Sequence, residues 1–520
     1  MSELASESSA LTMISDRPAH VSDAGETFDS VDPGTGDVLD RHPVQGPAEV
    51  EEAVGRARVA SDWWQAQGWK GRRAHLRAWK GVVARRIHEL ADLVHRENGK
   101  PHADAVLEIV LAIDHIEWAA KHAPKVLGLK KVPSGMMAAN QAAMVEYQPL
   151  GVVGVIGPWN YPVFTPMGSI AYALAAGNAV VFKPSEHTPG IGRWLEHAWQ
   201  MAVPAGPDVL QVVTGLGETG AALCRTGVDK LAFTGSTATA KKVMAACAEN
   251  LVPVLMECGG KDAMIVDDDA DVAAAADAAL WGGMSNAGQT CIGIERVYAT
   301  DAVYDAFVAE LISRADTLRA GSDEGASYGP ITMPGQVDII RRHLADARDR
   351  GGRAMIGGGT DGAYVEPTVL VDVPEDSAAV QEETFGPTLT VARVRDAEEG
   401  LRKANATSYG LAGAVFSGSA KRALDLARRM RSGMTSINSV IAFASVPGLP
   451  FGGVGDSGFG RIHGPDGLKE FTRAKAITRQ RFGLPVALLS FSRPEKVTDQ
   501  LAKVVGLVHG RVTVGQPSRR

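Results

Sequence analysis

The segment that decides the fold of this chain is Gly151-Val152-Val153-Gly154-Val155-Ile156-Gly157-Pro158. A short apolar run rich in β-branched residues and closed by glycine and proline is typical of a strand buried on both faces. Three similar runs follow at 179–184, 209–214 and 230–233, separated by helical stretches. Strands that alternate with helices predict a doubly wound α/β domain with a mostly parallel sheet.

The same alternation recurs in the second half of the chain. Strands are predicted near 296–299, 389–393, 413–416 and 435–437. This pattern indicates a second α/β domain.

Helical periodicity precedes the first sheet. It is present over 50–79, 82–97 and 103–121, and four tryptophans are predicted to bury the apolar face of the first stretch: Trp63, Trp64, Trp69 and Trp79. Residues 1–26 are rich in Ser, Ala, Asp and Glu, which predicts a poorly ordered tail.

Composition argues against several classes of protein. The 520 residues suffice for two or three domains, and 53 Lys and Arg against 60 Asp and Glu give a net charge of −7. Since nucleic-acid binders usually carry a basic excess, we expect no such partner. The four cysteines lack the spacing of a disulfide framework or zinc site, and a cytoplasmic location is expected. We expect no membrane span and no secretory signal.

Two glycine loops are candidates for binding a cofactor phosphate. Gly215-Leu216-Gly217-Glu218-Thr219-Gly220 matches G-x-G-x-x-G after a strand, a weak signal in a chain with 58 glycines, and it could be only a turn. The second loop runs from Phe233 through Gly235, Ser236 and Thr237 into a predicted helix. Backbone N–H groups at a helix start bind phosphate, so we place the pyrophosphate at the second loop.

A lysine and a glutamate end another strand on the same predicted edge. Lys183-Pro184-Ser185-Glu186 could bind ribose hydroxyls there, although in isolation it reads as a solvated surface pair. A glutamate beside the adenosine 2′-hydroxyl would repel a 2′-phosphate, which favours NAD over NADP.

Cys291 is the candidate nucleophile. A lone cysteine is usually a small buried hydrophobe, but this one follows a polar loop that could hold a thiol in a cleft. Glu257 follows the predicted strand 252–256 and lies 34 residues before the cysteine, and Asn160 lies in a strand-to-helix turn. No cluster with metal-ligand spacing is present in the sequence, so we expect no metal.

Four more motifs follow the cysteine: Glu382-Glu383-Thr384-Phe385-Gly386-Pro387, Gly410-Leu411-Ala412, Pro450-Phe451-Gly452-Gly453 and Gly458-Phe459-Gly460-Arg461 with Gly464. Together with the motifs around Asn160, Glu257 and Cys291, in this order and spacing, they closely resemble the NAD(P)-dependent aldehyde dehydrogenase superfamily. The resemblance runs from about Asp32 to Arg479.

The resemblance implies a role for each matched residue. Cys291 is the nucleophile, Glu257 is the base that activates water, and Asn160 forms an oxyanion hole with the backbone N–H of Cys291. The implied cofactor-binding residues are Pro158, Trp159, Lys183, Ser185, Glu186, Gly215, Phe233, Gly235, Ser236, Thr237, Cys258, Glu383 and Phe385. The implied reaction is the NAD-dependent oxidation of an aldehyde to an acid, with NADP as the alternative cofactor.

The resemblance also implies which residues line the aldehyde tunnel: Tyr161, Phe164, Thr165, Gly168, Ser285, Thr290, Ile292, Phe451 and the loop 439–449 with Ile441, Phe443 and Val446. Gly168 stands where many relatives have a bulky aromatic residue, so a wide tunnel is expected. No lysine or arginine is among these positions, which favours an apolar or aromatic aldehyde over succinate semialdehyde. A CoA-acylating enzyme is less favoured, because acyl transfer to CoA gains nothing from a water-activating Glu257.

Three residues depart from the family pattern. Ala240 replaces a glycine of the phosphate loop, and Cys258 and Asp262 replace leucine and serine or asparagine in the motif after Glu257. We expect Cys258 to be buried and inert.

The family fold implies a division into an aldehyde dehydrogenase-like pair of doubly wound domains and a β-arm for oligomerisation. The predicted parts are a tail (1–26), an NAD-binding domain (27–127 and 148–257), a catalytic domain (258–471), an arm (128–147 and 472–492) and a C-terminal extension (493–520). The arm implies a homodimer or homotetramer. The extension reads as an arm on a partner subunit or plain disorder, rather than a weak membrane-surface helix.

Overall fold

The structure is a computed structural model that describes residues 25–135, 138–483 and 490–510. Parts of three predicted segments lie outside these residues: most of the tail, positions 136–137 and 484–489 of the arm, and positions 511–520 of the C-terminal extension.

The first half of the described chain carries a helical layer and then alternating strands and helices. Its elements are β1 (Thr27–Val31), β2 (Val38–Pro43), α1 (Pro47–Ala66), α2 (Gly68–Arg85), α3 (Ile87–Asn98), α4 (His102–Leu127), β3 (Lys130–Val132), β4 (Gln141–Pro149), β5 (Val152–Ile156), α5 (Phe164–Ala176), β6 (Ala179–Lys183), α6 (Pro189–Ala202), β7 (Leu210–Val212), α7 (Gly217–Arg225), β8 (Lys230–Thr234), α8 (Thr237–Ala248) and β9 (Val254–Glu257).

The second half repeats the alternation. Its elements are β10 (Asp262–Val266), α9 (Val272–Met284), β11 (Ile294–Thr300), α10 (Tyr304–Ala315), α11 (Pro334–Asp349), β12 (Arg353–Ile356), β13 (Thr360–Asp361), β14 (Tyr364–Val365), β15 (Thr368–Val371), α12 (Ala378–Gln381), β16 (Thr388–Val394), α13 (Ala397–Ala404), β17 (Gly413–Phe416), α14 (Ala420–Arg429), β18 (Ser436–Ile437), β19 (Gly458–Phe459), α15 (Gly464–Glu470), β20 (Thr472–Gln480) and α16 (Glu495–His509).

The first sheet has the order β19-β9-β8-β5-β6-β7. All its pairs are parallel except β19 with β9. Apart from Ile156 at the end of β5, the apolar residues of β5 and β6 are almost fully buried, which explains their continuous apolar sequences. The loops that leave the carboxyl ends of β5, β6 and β8 therefore meet at one edge, where ligands bind in open α/β sheets.

The second sheet has the order β12-β15-β16-β11-β10-β17-β18. It is parallel except at its edge, where β12 runs antiparallel to β15. Helices α9, α10 and α11 pack on it through a core that includes Phe307, Ile340 and Leu389.

Some predicted boundaries differ from the structure. The periodic stretch 50–79 is two helices, because Gly68 adopts φ +59° between α1 and α2. The stretch 82–97 likewise spans the end of α2 and nearly all of α3. The strand β19 was assigned to the catalytic domain, yet it pairs with β9 of the first sheet.

Two compact units account for the described residues. One comprises 25–127 and 148–473, and it holds both large sheets. The other comprises 128–147 and 474–510, and its strands belong to the sheet β20-β4-β3. Helix α16 buries none of its residues. Within the described ranges, no helix combines the length and apolar character needed to cross a membrane.

Candidate active site

Cys291 follows a strained turn between α9 and β11. The turn 285–288 contains Asn286 at φ 53° and Ala287 at φ 57°, the left-handed region that costs energy for residues with a side chain. Three hydrogen bonds fix the turn: Gln289 Nε2 donates to the Asn286 carbonyl at 3.0 Å, its Oε1 accepts from the Thr332 N–H at 2.8 Å, and Asn286 Nδ2 donates to the Asn160 carbonyl at 3.0 Å. Such strain is often found at functional sites.

Asn160 lies against the same turn. Its side chain is buried, and Nδ2 donates to the Gln289 carbonyl at 2.9 Å. An amide nitrogen carries two donors, so a second N–H remains for another acceptor. The neighbouring Tyr161 hydroxyl is 3.0 Å from Thr290 Oγ1, which adds a contact to the residue before Cys291.

Glu257 is the last residue of β9 and is almost fully buried. Neither carboxylate oxygen has a hydrogen-bond partner among the described residues. Burial raises the pKa of Glu257 well above its ordinary value, and the charge of Arg461 only partly opposes this. A carboxyl group with a raised pKa is suited to accept and release a proton near neutral pH.

Two glycines after Glu257 let three chain segments meet. A Cβ at Gly260 would lie 2.7 Å from the Cys291 carbonyl oxygen, and one at Gly259 would overlap the Glu383 carboxylate. The Gly260 N–H donates to Glu383 Oε1 at 3.0 Å. The turn therefore brings Glu257, Cys291 and Glu383 into one site.

Cys291 is intermediate in exposure as a whole residue, whereas the other three cysteines are buried. Its pKa is raised, first by loss of hydration and then by the nearby carboxyl groups of Glu383, Asp262 and Glu257. Asp262 itself has a pKa raised to about 8 by burial, and its Oδ2 has no hydrogen-bond partner among the described residues. The thiol therefore lies in an electronegative surrounding.

Lys183 and Glu186 meet at the carboxyl end of β6. Lys183 Nζ lies 3.9 Å from Glu186 Oε2 and donates to the Pro184 carbonyl at 3.0 Å. Burial opposes ionisation of Glu186, but the charges of Lys183 and His187 outweigh it and lower its pKa. The Ser185 hydroxyl donates to Glu186 at 3.3 Å, so the carboxylate has defined acceptor positions.

The second glycine loop leads from β8 into α8, as predicted. Ser236 caps the helix by accepting from the Thr239 N–H at 3.2 Å, and the Thr237 hydroxyl donates to the Asp456 carbonyl at 2.7 Å. Phe233 is the penultimate residue of β8, and the ring lies under Gly235.

Gln45, which lies just before α1, fixes the first glycine loop (215–220). Gln45 Oε1 accepts from the Thr214 N–H at 2.8 Å, and the Thr219 hydroxyl donates to the Gln45 carbonyl at 2.7 Å. Gly215 lies between these contacts, which account for the turn without a ligand.

Glu383 and Phe385 are held by a buried ion pair that sequence reasoning did not identify. Lys261 pairs with Glu295 and donates to the Thr384 hydroxyl at 3.0 Å. Glu295 in turn accepts from the Phe385 N–H at 3.0 Å. The Phe385 ring then meets the Trp159 ring edge-on, at 5.5 Å between centroids.

The predicted tunnel residues are at least partly buried except Val446 of the loop 439–449, which is exposed. The buried members include Thr165, Thr290, Ile292 and Phe451. The loop 439–449 contacts Phe451 through Phe443, and the two ring centroids are 6.4 Å apart.

The expected width beside Gly168 is not present. A Cβ there would lie 2.6 Å from His463 Nε2 and 2.8 Å from Ile462 Cδ1, because these side chains occupy the space. His463 is buried, and neither of its ring nitrogens has a hydrogen-bond partner among the described residues. Burial and the neighbouring His115 lower its pKa well below the ordinary value, so the ring is neutral.

The aldehyde dehydrogenase family model matches residues 20–477 of this chain. The chain belongs to the aldehyde dehydrogenase family. It is 36% identical over 461 residues to glutarate-semialdehyde dehydrogenase of Pseudomonas putida, covering 88% of this chain and 95% of that protein. It is 34% identical over 497 residues to 4,4'-diapolycopene aldehyde oxidase of a Methylomonas species, covering 95% of this chain and 93% of that protein.

Solved structures agree with the family and the fold. An NADP-dependent enzyme of Escherichia coli superposes with a TM-score of 0.85 at 34% identity, covering 88% of this chain and 96% of that one. The predicted aldehyde dehydrogenase-like α/β fold is thereby confirmed. This aldehyde dehydrogenase is an oxidoreductase that acts on aldehydes.

Sequence reasoning missed several side chains that this aldehyde dehydrogenase places beside its centre. They are Asn98, Lys100, Glu108, Asn286 and Glu295. Glu108 could have been identified from the sequence, because it is a charged residue on a helical face whose other positions, Ala105, Ile109 and Ala112, are apolar and buried. No group of side chains able to hold a metal ion occurs in the described parts of the chain.

Proposed function

We propose that this aldehyde dehydrogenase oxidises its substrate to a carboxylic acid through a covalent intermediate on Cys291. The observation that supports it is the convergence of the Cys291 loop, the Asn160 amide and the turn after Glu257. The thiolate adds to the aldehyde carbonyl carbon, and the carbonyl oxygen gains a negative charge. The second N–H of Asn160 and the backbone N–H of Cys291 stabilise that charge, at about 3–4 kcal/mol for a well-placed donor.

Glu257 then acts as the base for hydrolysis. A bound nicotinamide supplies the hydride acceptor that converts the thiohemiacetal to a thioester. Water forms a bond to the acyl carbon, its proton passes to Glu257, and the carbon–sulfur bond breaks to release the acid. General base help of this kind is worth roughly 10²–10⁴-fold.

Cys291→Ser tests the nucleophile. The variant is expected to lose dehydrogenase turnover and to keep nucleotide binding, measured by the fluorescence of the reduced nucleotide. Cys224→Ser is the matched control, since Cys224 is buried away from the site, where its thiol donates to the Gly220 carbonyl at 3.2 Å and hydrogen-bonds with Cys247. Retained turnover in Cys291→Ser would refute the assignment, and a requirement for CoA in the unmodified enzyme would favour the acyl-transfer alternative.

The cofactor is NAD in this proposal. Lys183 and Glu186 bind the adenosine ribose, the start of α8 at Gly235, Ser236 and Thr237 binds the pyrophosphate, and Glu383 holds the nicotinamide ribose. The donors fit: a helix N-terminus offers free amides to phosphate, and an ionised Glu186 accepts from hydroxyls but repels a 2′-phosphate.

The remaining predicted cofactor residues complete this surface: Pro158, Trp159, Ser185, Gly215, Phe233, Cys258 and Phe385. The matched E. coli structure is of an NADP-dependent enzyme, so NADP is the alternative. Comparing kcat/KM for NAD and NADP decides between them.

The proposed substrate is an apolar or aromatic aldehyde. Apolar surface is offered by Tyr161, Ile292 and Phe451. The ammonium group of the nearby Lys100 is already paired with the Glu108 carboxylate. The neutral ring of His463 offers no charge either. An acidic semialdehyde would bury its carboxylate without a paired cation, which is costly.

A semialdehyde of a dicarboxylic acid is the second candidate, because the matched Pseudomonas putida protein is a glutarate-semialdehyde dehydrogenase. Initial rates with octanal, benzaldehyde, succinate semialdehyde and glutarate semialdehyde, followed by absorbance of the reduced cofactor, test the choice. A clear preference for either semialdehyde would overturn the apolar assignment.

We also propose a cytoplasmic homodimer or homotetramer joined through the arm. The support is the sheet β20-β4-β3, in which β3 is exposed and leaves Val132 at the surface. Light scattering after size-exclusion chromatography would show a monomer if this is wrong.

A further inference from the structure

Lys100 is a buried lysine outside the predicted catalytic set. It follows Gly99, which ends α3 in the left-handed region at φ 87°, and it precedes α4. Its side chain is 1% exposed, and Nζ lies 2.6 Å from Oε2 of Glu108, whose side chain is fully buried. A lysine is almost never buried to this degree without specific partners.

The lysine reaches the loop that carries Asn160. Nζ donates to the Asn160 carbonyl at 2.8 Å, in addition to Glu108, and lies 4.0 Å from the centroid of the Tyr161 ring. The three N–H donors of the ammonium group therefore have two oxygen acceptors and an aromatic face.

Glu108 holds the far end of the same loop. Its Oε1 accepts from the Val163 N–H at 2.8 Å and from the Phe164 N–H at 3.0 Å, where α5 begins. The pair thus binds the carbonyl of residue 160 and the amides of 163 and 164 at once. Both ends of the segment are fixed relative to α4.

A second contact runs parallel to the first. Asn98 Nδ2 donates to the Trp159 carbonyl at 3.0 Å and to the Thr332 hydroxyl at 3.2 Å. The Thr332 N–H in turn donates to Gln289 Oε1 at 2.8 Å. The segment 98–108 is therefore connected to both the Asn160 loop and the turn before Cys291.

We propose that Lys100 and Glu108 are positioning residues that hold the Asn160 amide at the oxyanion. The inference rests on the proposed role of Asn160. Replacing a whole buried ion pair by apolar groups is often neutral for stability, whereas removing one partner is costly, so the loss of position must be measured separately from the loss of stability. A misplacement of about 1 Å in such a site costs on the order of 10²-fold in rate.

The test is a double-mutant cycle between Lys100→Met and Asn160→Ala. We expect Lys100→Met to lower kcat about 10–100-fold and to leave the Kd for NAD within about twofold. In the Asn160→Ala background the same change should lower kcat by less than about threefold, because the group it positions is absent. Equal factors in the two backgrounds would overturn the proposal, as would a Lys100→Met enzyme with full kcat.

Two further measurements separate positioning from a general structural defect. The alkylation rate of Cys291 by iodoacetamide, and its pH profile, should not change in Lys100→Met, because thiol ionisation does not depend on the Asn160 amide. The control is Lys80→Met, which removes a half-exposed lysine 2.7 Å from Glu117 and should keep full kcat. Altered alkylation in Lys100→Met, or an equal loss of kcat in the control, would show a general defect and overturn the proposal.

Glu108→Gln provides a second variant if Lys100→Met does not fold. The amide keeps an oxygen for the two N–H groups but loses the charge, so a smaller loss of kcat with the same dependence on Asn160 is expected. A loss independent of Asn160 would overturn the proposal. Full kcat in Asn160→Ala alone is a different result, because it would refute the oxyanion assignment itself.

Discussion

Gly168→Ala tests how tightly the tunnel wall is packed. The new Cβ would lie 2.6 Å from His463 Nε2 and 2.8 Å from Ile462 Cδ1, both inside normal contact distance. The His463 ring cannot move away freely, since the centroids of His115 and Phe451 lie 3.8 Å and 5.3 Å from its own. Overpacking of this kind costs about 1–3 kcal/mol. Replacing a helical glycine offsets about 0.5–1 kcal/mol of that.

Truncating His463 removes the closer of the two contacts and leaves the end of the flexible Ile462 side chain, which can turn into the vacated space. In a His463→Ala background, Gly168→Ala should be neutral or stabilising by up to about 1 kcal/mol, which gives a coupling energy of about 1–3 kcal/mol between the two sites. The entropy of unfolding is about 2 cal/mol/K per residue. In a chain of 520 residues, a net loss of about 1–2 kcal/mol in the free energy of unfolding therefore lowers Tm by about 1–2 °C.

Scanning calorimetry on the four proteins at one protein concentration measures this difference. Equal changes in Tm for Gly168→Ala in both backgrounds would refute the contact. His463→Ala also opens the wall behind Phe451, so kcat/KM for branched aldehydes relative to straight ones should rise up to about tenfold. An unchanged ratio would show that the wall does not limit the substrate.

Four further outcomes are expected. Glu257→Gln should keep a burst of one reduced cofactor per active site, with a slower burst rate, and lower the steady-state rate about 10²–10⁴-fold; an unchanged burst rate would restrict Glu257 to hydrolysis. Since burial raises the pKa of Glu257 well above 4.5, the steady-state rate of the unmodified enzyme should fall on the acid side of a midpoint well above pH 4.5. Asp262→Asn should speed alkylation of Cys291 only above about pH 8, where Asp262 is ionised and raises the pKa of the thiol; equal rates at pH 9 would refute this coupling. Glu186→Ser should raise kcat/KM for NADP relative to NAD at least tenfold, and an unchanged ratio would place the 2′-hydroxyl elsewhere.

The strands of the first sheet could be predicted because burial on both faces leaves a local signature. The run that became β5 is apolar at nearly every position, and its neighbours β6 and β8 show the same composition. The break at Gly68 escaped prediction, because tryptophans continue the apolar periodicity on both sides of it. Strand β10 also escaped, since it begins with Asp262, and only the buried hydrogen bond to the Ala412 N–H at 2.9 Å explains a carboxyl group there.

The sequence predicts the reacting residues better than it predicts the residues that hold them in position. Cys291, Glu257 and Asn160 lie in local motifs, so their types and order suffice to suggest a role. Lys100 and the Asn160 carbonyl are 60 residues apart, and no local pattern predicts that they meet. The gap beside Gly168 was misjudged for the same reason, because the imidazole that fills it comes from nearly 300 residues later in the sequence.

The electrostatics of the site constrain the order of proton transfers. Burial raises the pKa of the Cys291 thiol, and the carboxyl groups of Glu383, Asp262 and Glu257 raise it further. The site therefore favours one negative charge at a time. We infer that an ionised Glu257 takes the thiol proton as the sulfur attacks, so that the charge moves onto the substrate oxygen. Glu257 must then release that proton before it can accept another from water. If so, the pH dependence of the burst rate and of the steady-state rate should share one midpoint, and Glu257→Gln should remove it from both.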